Sequence, residues 1–160
     1  MRAAGETLAL FAGIGPRLWW FAADASSCAL GPGEVVAVLP GNVQYACSHV
    51  SGERLYVVSS DGGPGSPGTA HHLSAFRIDW ALKRLEPLGT PTSLRHRPIH
   101  ITTDRDSSHA LIAYNSPSTV TVHELAANGA VNDEVAQPDD LDTGIFAHQM
   151  YVARSNRTAI

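Results

Sequence analysis

Residues 43 to 60, "VQYACSHVSGERLYVVSS", and residues 98 to 115, "PIHITTDRDSSHALIAYN", carry the same rhythm. Each holds a short alternating run, a polar turn ("HVSGER", "DRDSSH") and a second run rich in β-branched and aromatic residues. A third copy begins at 147 with "AHQMYVARSNRTAI". Behind each complete unit stands another strand-like run, "HLSAFRID" at 72 to 79 and "TVTVHEL" at 119 to 125, then a turn and a weaker strand, "KRLEPLG" and "NGAVNDEVA". Tyr45, His100 and His148 hold the same place in the three copies, 55 and 48 residues apart. A period of this length, built from four short strands, is that of propeller blades.

The rest of the chain agrees with strands and turns. Its 14 glycines and 10 prolines punctuate runs rich in Val and Thr. No 3.6-residue apolar period persists over about twelve residues, as a packed helix requires. The expected class is all-β, a β-propeller of four-stranded antiparallel blades with about three blades in this chain. Residues 8–40 form a blade lacking its inner strand, with "TLALFAGIG", "RLWWFAADA" and "EVVAVLP" as its second, third and fourth strands. Residues 43–92 form the second blade, 98–137 the third, and 147–160 begin the next. Propellers close with roughly four to eight blades, so the simplest expectation is part of a longer propeller protein. An open edge at Ile160 is one that native sheets avoid, and it favours self-association.

Several function classes drop out on composition. The net charge is −4 and no basic run occurs, which argues against a nucleic-acid footprint. Cys28 and Cys47 have neither metal-ligand spacing nor a disulfide framework, so a reduced, cytoplasmic setting is expected. The opening has an early Arg2 and an apolar "LALFAGIG", but Pro16 and Arg17 break the run and no cleavage signal follows cleanly. No stretch is long enough for a membrane-spanning helix. His96, His100 and His109 fall on a loop, a strand and the turn at the opposite rim, so they cannot gather on one metal ion. No Gly-x-Ser-x-Gly elbow, phosphate loop or dinucleotide fingerprint occurs, and no cofactor is expected.

Three stretches carry a family resemblance: "SGERLYVVSSDGG", "HHLSAFRID" with "LEPLG", and "RPIHITTDRDSSHALIAYNSPSTVTVHELAANGAV". They resemble the lactonase family of seven-bladed propellers, which includes a bacterial 6-phosphogluconolactonase and a fungal carboxy-muconate lactonizing enzyme. The "FAHQM" at 146 to 150 is similar to that family's histidine-containing entry to the next blade. Two departures stand out. The family's turn glycine is Ser107, and its Ala-Asn-Tyr has become Ala113-Tyr114-Asn115, which moves the amide by one strand position. The resemblance implies hydrolysis of a small sugar-acid lactone such as 6-phosphogluconolactone, without a cofactor. A muconate-type cycloisomerase on the same scaffold is the alternative, and a propeller that only binds a ligand or protein is a third reading.

Strand positions suggest where such a site lies. The start of each innermost strand and the end of the next strand share one rim. That places Tyr45, His100 and His148 together, with Asp61 and Asn115 close behind and Arg97 on the loop before Pro98. Hydrolysis of a lactone needs a base for water and a donor for the oxyanion, and neutral histidine suits the first. His100 and His148 are the candidate catalytic residues. Arg97, Asn115 and Tyr45 are the candidate substrate contacts, with Arg97 suited to a carboxylate or phosphate.

Overall fold

The computed structural model describes residues 7–160; Arg2, which entered the leader reading, lies outside them. The described residues are all-β, in three antiparallel sheets. The first contains β1 (Thr7–Ile14), β2 (Arg17–Asp24) and β3 (Leu30–Val38). The second contains β4 (Asn42–Ser48), β5 (Arg54–Ser60), β6 (His71–Asp79) and β7 (Arg84–Pro87), with the two-residue β8 (Thr92–Ser93) also paired to β6. The third contains β9 (His100–Thr103), β10 (His109–Asn115), β11 (Ser118–Leu125) and β12 (Val131–Val135). Within each sheet sequential strands pair in order, most through short turns and β5 to β6 through the loop of residues 61–70.

The second sheet is buried on both faces. Leu55 and Val57 of β5 point into one core with Leu18 and Trp20 of β2, Phe76 and Ile78. Tyr56 and Val58 point the other way, into a core with Leu73, Ala75, Ile101, Ala110, Ile112 and Tyr114. Successive strand side chains alternate between faces, so a strand covered on both sides must be apolar throughout, as "LYVV" is. Face-to-face packing of this kind is the blade stacking of a propeller.

β1 runs beside β4 and β4 beside β9, so one edge of each sheet converges on its neighbour's. β1, expected as the second strand of its blade, is thus the edge strand alongside β4. The chain passes from β3 to β4 through Leu39, Pro40 and Gly41 alone. A Cβ on Gly41 would come within 2.5 Å of the Ser60 backbone, so a residue without one is required there. Residues 147–160 form no named strand. They fold back through a single Val152–Ala159 bridge and dock on the β9–β10 turn. There the Arg105 guanidinium bonds the Ala153 and Val152 carbonyls and the Tyr151 hydroxyl.

The same β9–β10 turn explains the missing glycine. Ser107 has a φ of 51°, a left-handed conformation costing a side chain about 1–2 kcal/mol. Its hydroxyl offsets the strain: it accepts from the Val50 N–H at 2.9 Å and pairs with Thr103 Oγ1 at 3.0 Å. The serine therefore ties this turn to the equivalent β4–β5 turn of the second sheet. Ser107→Ala keeps the strain and loses the bonds, whereas Ser107→Gly loses the bonds and relieves the strain. Urea unfolding should show both variants destabilised, Ala more than Gly by about 1 kcal/mol. Equal stability of Ala and the parent would contradict this account.

Candidate functional site

An open cleft of about 580 Å³ lies where the second and third sheets meet the 142–150 segment. Gln44 of β4 lines it, with Arg97 and Ile99 ahead of β9, Asn115 at the end of β10 and Ser116 after it, His148, and the Gly63–Pro67 loop. No aspartate, glutamate or lysine is among these residues. Arg97 therefore gives this lining its fixed positive charge.

Arg97, Asn115 and His148, expected from the sequence to share a site, do line one space. The amide shift does not take Asn115 away from it. Tyr114 is the residue turned into the core, its hydroxyl on Thr121 Oγ1 at 2.9 Å, and Asn115 sits at the strand's mouth opposite Ser118. Tyr45 and His100 lie outside the cleft's lining. Their rings pack together with centroids 4.4 Å apart, Tyr45 on the outside and His100 5% exposed beneath it.

His100 instead supports the segment that carries His148. Its Nδ1 accepts the Met150 N–H at 3.3 Å, so in this arrangement Nε2 holds the ring proton. On the other side of His148, the Ala147 N–H donates to Ser118 Oγ at 2.9 Å, while Thr143 Oγ1 donates to the Ser118 carbonyl. His148 is thus an exposed side chain on a segment pinned at both flanks. A catalytic group needs this combination of access and fixed backbone.

The Gly63–Pro67 wall is equally built. "DGGPGSPGTA" reads as a flexible loop, yet Asp61 closes its neck by accepting from the Thr69 and Ala70 N–H groups at 2.8 and 2.9 Å. Those bonds, Ala70's first, hold the Asp61 carboxyl below the usual carboxylate range. Ser60 Oγ accepts from the Gly62 N–H and pairs with His71 Nδ1, each at 2.8 Å. Gly68 has a φ of 72° and lies so close to Asp61 and Gly62 that no side chain fits there. Asp61, placed by the sequence close behind the histidines, is therefore the loop's anchor.

The chain's match to the family model for "Lactonase, 7-bladed beta-propeller" covers residues 12–155. This chain belongs to that lactonase family. Its fold agrees with two solved structures. A Bacteroides fragilis protein described as a candidate 6-phosphogluconolactonase superposes with a TM-score of 0.69 at 15% identity, over 99% of this chain and 46% of its own length. The Pseudomonas aeruginosa periplasmic gluconolactonase PpgL gives a TM-score of 0.75 at 17% identity, over 96% of this chain and 46% of its own. The lactonase-family chain thus spans less than half of either protein, and at these identities the likeness establishes the fold. No curated protein matches it.

Gln44, Ile99, Ser116 and the Gly63–Pro67 loop were missed by sequence reasoning. The loop's order leaves no local signal, because Asp61 bonds N–H groups eight and nine residues further on, beyond the reach of an Asx turn.

Burial gives the lactonase-family chain a defined response to acid. His49, His71, His100 and His123 all have pKa values below the ordinary 6.5, with burial the leading cause in each. For His100 the neighbouring His148 adds to the effect. A depressed histidine pKa means that the unfolded chain takes up protons before the folded one. The stabilising effect of holding these groups neutral is complete above 6.5 and is lost as pH falls below it. The urea midpoint should therefore fall between about pH 7 and pH 5. A flat profile over that range would contradict these burials.

Proposed function

We propose that this lactonase-family chain supplies part of the active site of a cofactor-independent hydrolase acting on a small anionic sugar-acid lactone such as 6-phosphogluconolactone. One observation carries the reading: an accessible imidazole, a guanidinium and an amide face one cleft whose lining has no carboxylate. Neutral His148 takes a proton from water as the water oxygen bonds to the lactone carbonyl carbon. The carbonyl oxygen becomes an oxyanion, for which Asn115 is the available amide donor. Collapse of that intermediate breaks the ring C–O bond, and the departing ring oxygen takes the proton back from His148. The product is the open hydroxy acid, and the balance closes with water alone.

Arg97 supplies binding rather than chemistry. Its planar guanidinium matches a phosphate or carboxylate remote from the reacting carbonyl, so it fixes the lactone's orientation. The two solved structures above bear names that concern gluconolactone chemistry, which supports this substrate class. His100 acts through its bond to the Met150 backbone, as a positioning residue for His148.

The whole protein carries the test. His148→Ala should lower kcat for lactone opening by about 10²–10⁴-fold, the usual contribution of a positioned acid–base group. Arg97→Ala should mainly raise KM for a phosphorylated lactone. Undiminished kcat in H148A would overturn the assignment. Absence of any lactone hydrolysis by the parent protein would overturn the function itself.

A further inference from the structure

Strand β4 contains an irregularity that the cleft exploits. Val43 pairs with Ser59 and Tyr45 with Val58, so Gln44 is an extra residue with no cross-strand partner. Such a bulge turns a side chain away from the direction that strict alternation would give it. Here it delivers the Gln44 amide to the cleft with both ends engaged. Nε2 donates to the Asn42 carbonyl at 3.1 Å, and Oε1 accepts from Arg97 Nε at 3.1 Å. The first bond fixes which amide end faces the arginine, because an Nε2 turned toward Arg97 would set donor against donor.

The geometry points to Gln44 as a positioning residue that holds the Arg97 guanidinium for an anionic substrate group. This inference rests on the lactone-hydrolase reading above and concerns how its anion subsite is built. Gln44 takes the inner Nε–H of Arg97. Among the described residues the two terminal nitrogens make no hydrogen bond or ion pair, which leaves the outer edge of the fork for a phosphate or carboxylate. The other tethered arginines differ: Arg77 and Arg95 each spend a terminal nitrogen on Glu86 and Glu134, Arg54 spends both on His49 and the Ala127 carbonyl, and Arg105 spends one on the Tyr151 hydroxyl and the Val152 carbonyl. A neutral glutamine orients the cation without cancelling its charge, which a carboxylate in its place would do.

Two variants and two readouts test this. Q44L removes the amide at nearly constant volume. Q44E keeps an acceptor for Arg97 but neutralises it, and carries the same test if Q44L fails to fold. In the whole protein both should raise KM for 6-phosphogluconolactone, Q44L by roughly five- to tenfold, the size of one hydrogen bond. For uncharged gluconolactone KM should stay unchanged, as should kcat for both substrates. An equal effect on the two lactones would mark a merely structural role and overturn the proposal, as would no effect on either. Titration with inorganic phosphate reads the subsite independently of turnover. Binding by the parent that weakens in R97A, Q44L and Q44E supports the proposal even if no lactone is hydrolysed. Absence of phosphate binding by the parent, or equal affinity in Q44L, overturns it.

Discussion

The second sheet's burial on both faces is the constraint from which the rest of this structure follows. β5 contributes Leu55 and Val57 to one core and Tyr56 and Val58 to the other, and their exposures run from 0% to 5%. A one-residue slip of β5 would exchange the two sets and place Tyr56 where Leu55 packs. The register of the middle sheet is therefore specified from both sides, and the sheets flanking it are positioned by what they cover. That stacking brings the ends of β5 and β10 to the same rim as the starts of β4 and β9. The cleft exists because these sheets stack, while its polar lining comes from the rim residues.

Rim elements are held by polar bonds rather than apolar burial. Asp61 closes the neck of the Gly63–Pro67 loop, Ser118 and His100 pin the flanks of His148, and Gln44 orients Arg97. This division of labour suits a binding site, since apolar packing at the rim would fill the space a polar ligand must enter. It also engages His100, whose Nδ1 accepts the Met150 N–H. A buried imidazole whose Nδ1 accepts a backbone N–H stabilises the geometry of its neighbour, and it does so only while neutral.

The propeller class was legible because blade structure is periodic. The repeat at 43 to 60 and 98 to 115 marks β4–β5 and β9–β10 closely, and the runs behind them became β6 and β11. Arg97, Asn115 and His148 were legible as rim positions by the same periodicity. Tyr45 and His100 mark where that logic stops. Equivalent places in a repeat imply equivalent backbone positions, but the extra residue at Gln44 shifts β4 by one, and the ring of Tyr45 comes to lie over His100. A bulge leaves no trace in an alternating run as short as "NVQYACS", so Gln44 could not be read in advance. The C-terminal copy differed for another reason: its backbone is organised by Arg105 from the third sheet, through contacts between distant residues.

In the proposed reaction His148 and Arg97 act on two ends of one anionic ligand. A crystal structure of the whole protein with the open product, 6-phosphogluconate, tests it most directly. The phosphate should lie on the terminal nitrogens of Arg97, with the carboxylate carbon within reach of His148 and Asn115. Product bound elsewhere, or in the cleft with neither residue in contact, would contradict it.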